Sequence, residues 1–131
     1  MVLGDVKVLV VEDVRSMRIQ IHELLLATGF KHIEIFENGE AARRHLQISP
    51  CDLVLSDWHM SPMSGIELLE WVRTSPNLNT LPFMMVSAEK TKNYVIDAIK
   101  AGVDGYLIKP ISIEQIYTKV IPLLIKKKVV S

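Results

Sequence analysis

Several features are scarce in this sequence. Cys51 is the only cysteine, so no disulfide can form within the chain, and a lone thiol is typical of the reducing cytoplasm. Basic and acidic residues number 15 each, so the basic excess of a nucleic-acid-binding surface is missing. No apolar run reaches the ~18 residues of a transmembrane helix, and no signal-peptide pattern begins the chain. We therefore expect a cytoplasmic protein without a nucleic-acid partner and without membrane insertion.

Internal repeats, low-complexity tracts and internal linkers are absent as well. The chain has 131 residues, of which 49% are hydrophobic, and this is enough for one sizeable core. We expect a single domain over residues 1–131. The thiol of Cys51, at the start of a predicted strand, is interpreted as a small half-buried side chain and not as a reactive group.

Five short segments rich in apolar residues are typical of buried strands. They span residues 6–11, 33–36, 53–55, 82–86 and 105–108. The segments between them carry apolar residues at helical spacing. Gly29 and Gly102 are natural helix ends, and Asn38 is suited to cap the helix that runs to about Ile48.

Two further helices begin with the pattern of a capping box, in which two side chains bond each other's backbone. Ser64 and Glu67 form the first, and Ser112 and Gln115 the second. Pro122 lies inside the last helix, where it removes a backbone hydrogen bond, so it should kink or shorten that helix. Strands that alternate with helices predict an α/β fold with a parallel sheet and right-handed crossovers.

Four of the five strands are followed by a polar residue suited to chemistry: Glu12 and Asp13, then Asp57, Ser87 and Lys109. The carboxyl ends of parallel strands meet at one edge of the sheet, where ligands bind. Three carboxylates there would repel one another, and Mg²⁺ would relieve the repulsion. With a metal ion and a lysine the pocket suits phosphoryl chemistry, with Asp57 as nucleophile and Ser87 as a hydrogen-bond donor.

Each of these residues also has an ordinary structural interpretation. Glu12 and Asp13 could cap the first helix, Asp57 could belong to a turn and Ser87 could cap the next helix. The Lys109-Pro110 peptide could be part of a plain loop, or a cis bond that fixes the lysine. Taken together, the residue types fall at successive strand ends in an order that favours one shared site.

The chain resembles the response-regulator receiver domains, and most of all the stand-alone chemotaxis regulators of the CheY type. The resemblance covers almost the whole chain and rests on these segments: Glu12-Asp13, Asp57-Trp58-His59-Met60, Ser87-Ala88-Glu89, Ala101-Gly102, Gly105-Tyr106 and Lys109-Pro110. It implies a doubly wound, flavodoxin-like (βα)5 fold with strand order 2-1-3-4-5.

The resemblance also implies a metal site and a phosphoacceptor. Mg²⁺ would be held by Glu12, through water, by Asp13, by Asp57 and by the backbone carbonyl of His59. Asp57 would accept the phosphoryl group. Glu12 stands where the family more often has aspartate, and its extra methylene could lengthen the metal contact.

The resemblance further assigns catalytic roles to Lys109 and Ser87, and makes Ser87 and Tyr106 a switch. The switch would alter an output face on the fourth helix, the fifth strand and the fifth helix. The residues of this face are Lys92, Val95, Tyr106, Ile108 and Lys119. His59 and Glu89 would flank the pocket and could control access of the attacking water.

The implied function is signalling, not turnover of an external substrate: the domain would take a phosphoryl group from a histidine kinase and hydrolyse its own aspartyl phosphate. We expect a monomer whose downstream target is a protein such as the flagellar motor switch, with a phosphatase as a further partner. A phosphorelay shuttle and the receiver domain of a longer regulator are alternatives.

Two other classes are considered. A flavodoxin-like cofactor binder would need a hydroxyl- and glycine-rich phosphate loop after the first strand, where this chain has Glu12 and Asp13. A phosphatase of the dehalogenase type would need an acid two residues after the nucleophile, where this chain has His59.

Overall fold

The computed structural model describes residues 1–131, and its strands and helices alternate along the chain. The strands are Lys7–Val11 (β1), His32–Phe36 (β2), Leu53–Ser56 (β3), Phe83–Ser87 (β4) and Gly105–Ile108 (β5). The first four helices are Arg15–Thr28 (α1), Gly39–Ile48 (α2), Gly65–Thr74 (α3) and Lys92–Ala101 (α4). The last helix, α5, comprises residues 113–126 in three segments: Ile113–Gln115, Ile116–Val120 and Ile121–Lys126.

All five strands are parallel and lie in the order β2-β1-β3-β4-β5, which confirms the predicted fold class and strand order. The central strands β3 and β4 are buried along their whole length, because helices cover both faces of the sheet. One apolar core packs α1 and α5 against the sheet, and a second packs α2, α3 and α4 against the other face. The carboxyl ends of β1, β3, β4 and β5 therefore meet at one edge.

Most of the predicted helix ends are confirmed. Gly29 and Gly102 adopt left-handed conformations, with φ of 113° and 96°, directly after α1 and α4. Asn38 accepts a hydrogen bond from the backbone N–H of Ala41 and so caps α2. These contacts end or begin each helix where the sequence places a residue with the required conformation or acceptor.

One of the two predicted capping boxes is complete, and the other is half formed. Ser64 and Glu67 bond each other's backbone N–H groups at the start of α3. At the start of α5, Ser112 accepts from the N–H of Gln115, but the Gln115 side chain donates to the carbonyl of Ile108. The prediction for Gln115 is therefore wrong, because the side chain turns its NH₂ group to the last carbonyl of β5, and its Oε1 accepts no hydrogen bond from Ser112.

Pro122 neither breaks α5 nor ends it. The middle segment, Ile116–Val120, is π-helical, and the N–H of Ile121 donates to the carbonyl of Ile116, five residues back. The wider turn precedes Pro122, which has no N–H to donate. The predicted disturbance is thus a local change of helix type, and the chain continues in α-helix over Ile121–Lys126. No helix in the structure combines the length and the apolar character needed to cross a membrane.

Candidate functional site

Three carboxylates converge at the carboxyl edge of the sheet. Glu12 and Asp13 follow β1, and Asp57 follows the neighbouring strand β3. One oxygen of each lies within 4.8 Å of the others. Glu12 is fully buried and Asp57 nearly so, whereas Asp13 is exposed. The register of two adjacent parallel strands thus places these carboxylates together, as the sequence predicts.

Lys109 supplies the positive charge of this site from the end of β5. Its Nζ lies 2.6 Å from Oε1 of Glu12 and 3.2 Å from Oδ2 of Asp57. Burial favours the neutral amine, but Glu12 and Asp57 outweigh this effect and raise the pKa of Lys109. The peptide between Lys109 and Pro110 is cis, one of the two forms considered for it. Lys109 is therefore a charged group shared by two carboxylates.

Glu12 is the most strongly desolvated of the acids. Burial raises its pKa above the ordinary value of 4.5, against the opposing effects of Lys109 and of the Val14 N–H, which donates to Oε2 at 3.1 Å. Its Oε1 is fully buried and, apart from the ion pair with Lys109, accepts no hydrogen bond. A buried oxygen whose one partner is the Lys109 ammonium, beside two further carboxylates, has room in its coordination for a hard divalent cation or for water bound to one.

The carboxylate of Asp57 is held from two sides. The N–H of Trp58 donates to Oδ1 at 2.8 Å, and Lys109 lies against Oδ2. Behind it, the hydroxyl of Ser56 donates to the Asp57 carbonyl, and the N–H of Gly65 donates to the Trp58 carbonyl at 2.8 Å. These bonds tie the loop after β3 to the start of α3 and fix the direction in which Asp57 points.

Ser87 and Tyr106 are connected through the backbone of one residue, Glu89. Buried at the end of β4, Ser87 accepts the Glu89 N–H at its Oγ, which leaves its own O–H free to donate. The Tyr106 hydroxyl donates to the Glu89 carbonyl at 2.7 Å. Burial raises the pKa of Tyr106, so the phenol stays protonated as this donor requires. A shift of the Ser87 side chain would therefore reach Tyr106 through the backbone of a single residue, Glu89.

The residues predicted for the output face are only partly brought together. Lys119 Nζ lies 3.4 Å from the carbonyl of Tyr106, and both Lys119 and Lys92 are exposed. A shallow cleft of about 230 Å³ between α4 and β5 is lined by Val95, Ile99, Val103, Asp104, Gly105 and Tyr106. Val95 and Tyr106 thus share one cleft with Ile99, which the sequence interpretation did not include. Ile108 lies outside it, at the end of β5.

An aromatic cluster at the rim of the site was not predicted. The rings of Trp58 and Tyr94 meet edge to face at 5.0 Å between centroids, and those of His59 and Tyr94 at 5.7 Å. The Nε2 of His59 lies 3.3 Å from a carboxylate oxygen of Glu89. The ring of Tyr94, on α4, thus packs against the two residues that follow Asp57. A metal contact of the His59 carbonyl stays a prediction.

Arg18 is a second residue that the sequence interpretation missed. Its guanidinium donates to the backbone carbonyls of Glu12 and Asp13. Helical spacing is the signal that could have found it, because Arg18 lies one turn into the helix that follows the acid pair. Cys51, by contrast, matches its interpretation: its thiol lies 3.1 Å from the Leu53 carbonyl, and burial raises its pKa to about 12.

Comparison with known proteins identifies relatives over nearly the whole length of the chain. The family described as the response regulator receiver domain matches residues 8–121. Chemotaxis protein CheY-3 of Vibrio cholerae is 37% identical over 106 residues, which cover 81% of this chain and 82% of the relative. Chemotaxis protein CheY of Pseudomonas aeruginosa is 37% identical over 114 residues, which cover 87% of this chain and 92% of the relative.

Solved structures agree with this result. The signal receiver domain of a signal transduction histidine kinase from Syntrophus aciditrophicus has a TM-score of 0.84 at 28% identity, over 95% of this chain and 94% of that one. The chemotaxis response regulator CheY4 of Vibrio cholerae has a TM-score of 0.83 at 27% identity, over 91% of this chain and 98% of that one. Similarity therefore extends over both sequence and fold.

Proposed function

Because this chain belongs to the response regulator receiver domains, we propose that it accepts a phosphoryl group on Asp57 from a histidine kinase and passes the signal on by protein contact. The observation that carries this proposal is the charge arrangement around Asp57: two further carboxylates and the ammonium group of Lys109 surround one oriented carboxylate.

The acid cluster is suited to hold Mg²⁺. Glu12, Asp13 and Asp57 would supply carboxylate oxygens, and the carbonyl of His59 would complete the protein's share of the ligands. When bound, the ion neutralises charge on phosphoryl oxygens. The buried Oε1 of Glu12 supports this assignment, because Lys109 is its one partner and a cation-bound water could bind it as well.

In the proposed transfer, an oxygen of Asp57 forms a bond to phosphorus while the bond between phosphorus and the kinase histidine breaks. Lys109, already 3.2 Å from Oδ2, is placed to stabilise the negative charge of the incoming group. Ser87 can donate its free O–H to a phosphoryl oxygen. Water then cleaves the acyl phosphate, which releases inorganic phosphate and restores the carboxylate of Asp57.

The signal would leave through the backbone of Glu89. A phosphoryl group that draws the Ser87 hydroxyl toward it would alter the bond to the Glu89 N–H, and with it the bond from Tyr106 to the Glu89 carbonyl. Tyr106 lines the cleft between α4 and β5, and this cleft is where we propose that the partner binds. We therefore propose that the domain is a signalling protein that catalyses no reaction on an external substrate.

The proposed partner is a flagellar motor switch protein, because the two relatives compared above are named as chemotaxis proteins. A phosphorelay shuttle or the receiver of a longer regulator would use the same pocket with another output. No observation favours a flavodoxin-like cofactor binder, since acids and not a phosphate loop follow β1, or a dehalogenase-type phosphatase, since His59 stands where its second acid would be.

Intact-mass spectrometry tests the proposal. Incubation with Mg²⁺ and acetyl phosphate should add one phosphoryl group to the wild-type protein, and the adduct should be absent from Asp57→Asn and from samples with chelator. Asp52→Asn, a change in an aspartate at the opposite edge of the sheet, should keep the adduct. Phosphorylated protein should then bind a motor switch protein more tightly than the Asp57→Asn variant does. A folded wild-type protein that gains no adduct would contradict the proposed chemistry.

A further inference from the structure

Arg18 contacts the backbone of both residues of the acid pair, Glu12 and Asp13. Its Nη1 donates to the carbonyl of Glu12 at 3.0 Å and to the carbonyl of Asp13 at 3.0 Å. The side chain is only 19% exposed, and its Nη2 lies 3.9 Å from the exposed carboxylate of Glu37. One guanidinium from the start of α1 thus binds two successive carbonyls of the loop between β1 and α1.

The loop has few other attachments on its carbonyl side. The carbonyls of Glu12 and Asp13 accept no other hydrogen bond from the protein. Val14, the residue before α1, offers no side-chain cap to the helix, and the Val14 N–H is bound by the Glu12 carboxylate. Arg18 thus holds the backbone from which the side chains of Glu12 and Asp13 extend.

We propose that Arg18 is a positioning residue of the metal site, which keeps the carboxylates of Glu12 and Asp13 directed at a shared cation. The inference rests on the proposed function, because it takes the acid cluster to hold a divalent ion. Groups that orient metal ligands commonly determine affinity although they do not touch the metal. Here the bonds to two adjacent peptides give Arg18 that role for two ligands at once.

Arg18 also brings a positive charge close to the proposed cation, and this effect has the opposite sign. Removal of the charge alone would strengthen cation binding. Loss of the two carbonyl contacts would weaken it, because the loop would leave the arrangement that points both acids at one ion. The affinity of a variant without the guanidinium therefore separates a positioning role from a purely electrostatic one.

Binding of Mn²⁺ to the intact chain provides the measurement, with free Mn²⁺ followed by electron paramagnetic resonance. Mn²⁺ takes the same oxygen ligands as Mg²⁺, and displacement by added Mg²⁺ shows that both use one site. We expect Arg18→Gln to weaken Mn²⁺ binding by about 10-fold. Arg18→Lys should weaken it less, because an ammonium can still donate to one carbonyl but cannot reproduce the planar fork.

Two control variants isolate the carbonyl contacts. Arg15→Gln removes an exposed positive charge from the same end of α1, where the side chain of Arg15 makes no hydrogen bond or ion pair within the protein. Glu37→Gln removes the acidic partner of Arg18 and leaves its carbonyl contacts in place. Arg15→Gln should not weaken Mn²⁺ binding, and Glu37→Gln should weaken it far less than Arg18→Gln does, because the exposed charge of Glu37 is screened by solvent.

The outcomes distinguish this inference from the function on which it rests. If wild-type protein binds Mn²⁺ and folded Arg18→Gln binds it equally well or more tightly, the positioning role is wrong and the metal site stands. Urea unfolding in chelator shows whether Arg18→Gln is also less stable; lower stability with unchanged affinity would make Arg18 structural only. A wild-type chain that binds no Mn²⁺ would reject both the metal site and the role of Arg18.

Discussion

Lys109 is the one positive charge among the three carboxylates at the carboxyl edge of the sheet, and it sets the charge balance of the site. Three carboxylates and this ammonium give the cluster a formal charge of −2, which one divalent cation would neutralise. Burial of Glu12 opposes its negative charge and raises its pKa. The site is therefore arranged so that a cation, and then a phosphoryl group beside Lys109, fit its charge.

Gly65 is a second residue on which the site depends, because there is no room for a side chain at this position. A Cβ at this position would lie 1.9 Å from the carbonyl oxygen of Asp57, a backbone atom that cannot simply turn away. We expect Gly65→Ala to lower the free energy of unfolding by about 1–3 kcal/mol. The displaced loop should also slow phosphorylation of Asp57.

Urea unfolding and the rate of adduct formation measure these two effects. Gly4→Ala is the matched control, because a Cβ there would meet only the flexible end of Lys31, at 3.3 Å. Equal stability and equal phosphorylation rates in wild type and Gly65→Ala would show that the close contact is not maintained in solution.

At the scale of elements, the start of α3 joins the phosphoacceptor loop to a helix. Ser64 and Glu67 form the complete capping box there. Hydrogen bonds from Ser64 lower the pKa of Glu67 below its ordinary value of 4.5. The ionised form is thus favoured in the folded state, so its contribution is present above pH 4.5 and is lost as the pH falls through the lowered pKa.

We expect Glu67→Gln to be less stable than wild type at neutral pH, because the amide is a weaker acceptor for the Ser64 N–H. This difference should shrink as the pH falls below 4.5. Urea midpoints over this pH range measure it. Glu70→Gln, an exposed change on the same helix, should keep a constant offset from wild type; an offset that also stays constant for Glu67→Gln would contradict the pH-dependent cap.

Helix α5 shows where a prediction for an element was incomplete. Pro122 was expected to kink or shorten it, and the structure instead has a π-helical segment over Ile116–Val120. The sequence identifies the missing N–H. Packing of Ile116, Val120 and Leu124 against the sheet decides how the helix accommodates that loss, since all three remain buried.

At the scale of the whole molecule, the proposed phosphoacceptor site and a network of ion pairs lie at opposite edges of the sheet. Asp104, just before β5, lies 2.9 Å from Arg73 of α3 and 3.2 Å from Lys127 after α5. It also accepts the N–H of Phe83 at the start of β4. One carboxylate thus links two helices and two strands at the amino ends of the strands.

Asp104→Asn should therefore reduce stability and leave the chemistry intact. Loss of charge beside two cations should cost about 2 kcal/mol of the free energy of unfolding. Under conditions where the variant is folded, Mg²⁺-dependent phosphorylation by acetyl phosphate should proceed at the wild-type rate. Asp97→Asn, at an exposed position of α4, should change neither quantity. A folded Asp104→Asn with a slower phosphorylation rate would show that the two edges are coupled.

The sequence by itself determined the strands, the polar residues that follow them and the class of fold. Alternating apolar segments and helix caps depend on local periodicity, and the resemblance to receiver domains supplied the strand order. The proximity of Glu12, Asp13 and Asp57 also followed, because parallel strands bring their carboxyl ends to one edge. The strands and helix caps depend on residues close together in the sequence, and the shared site depends on the rule that parallel strands end at the same edge of a sheet.

The tertiary structure alone decided the partners of side chains that reach from one element to another. Gln115 turned to the carbonyl of Ile108, Arg18 to two loop carbonyls, and the ring of Tyr94 to Trp58. A hydrogen bond or a ring contact needs distances correct to a few tenths of an ångström between residues from separate elements. Periodicity indicates the face of a helix, but packing of whole elements sets those distances.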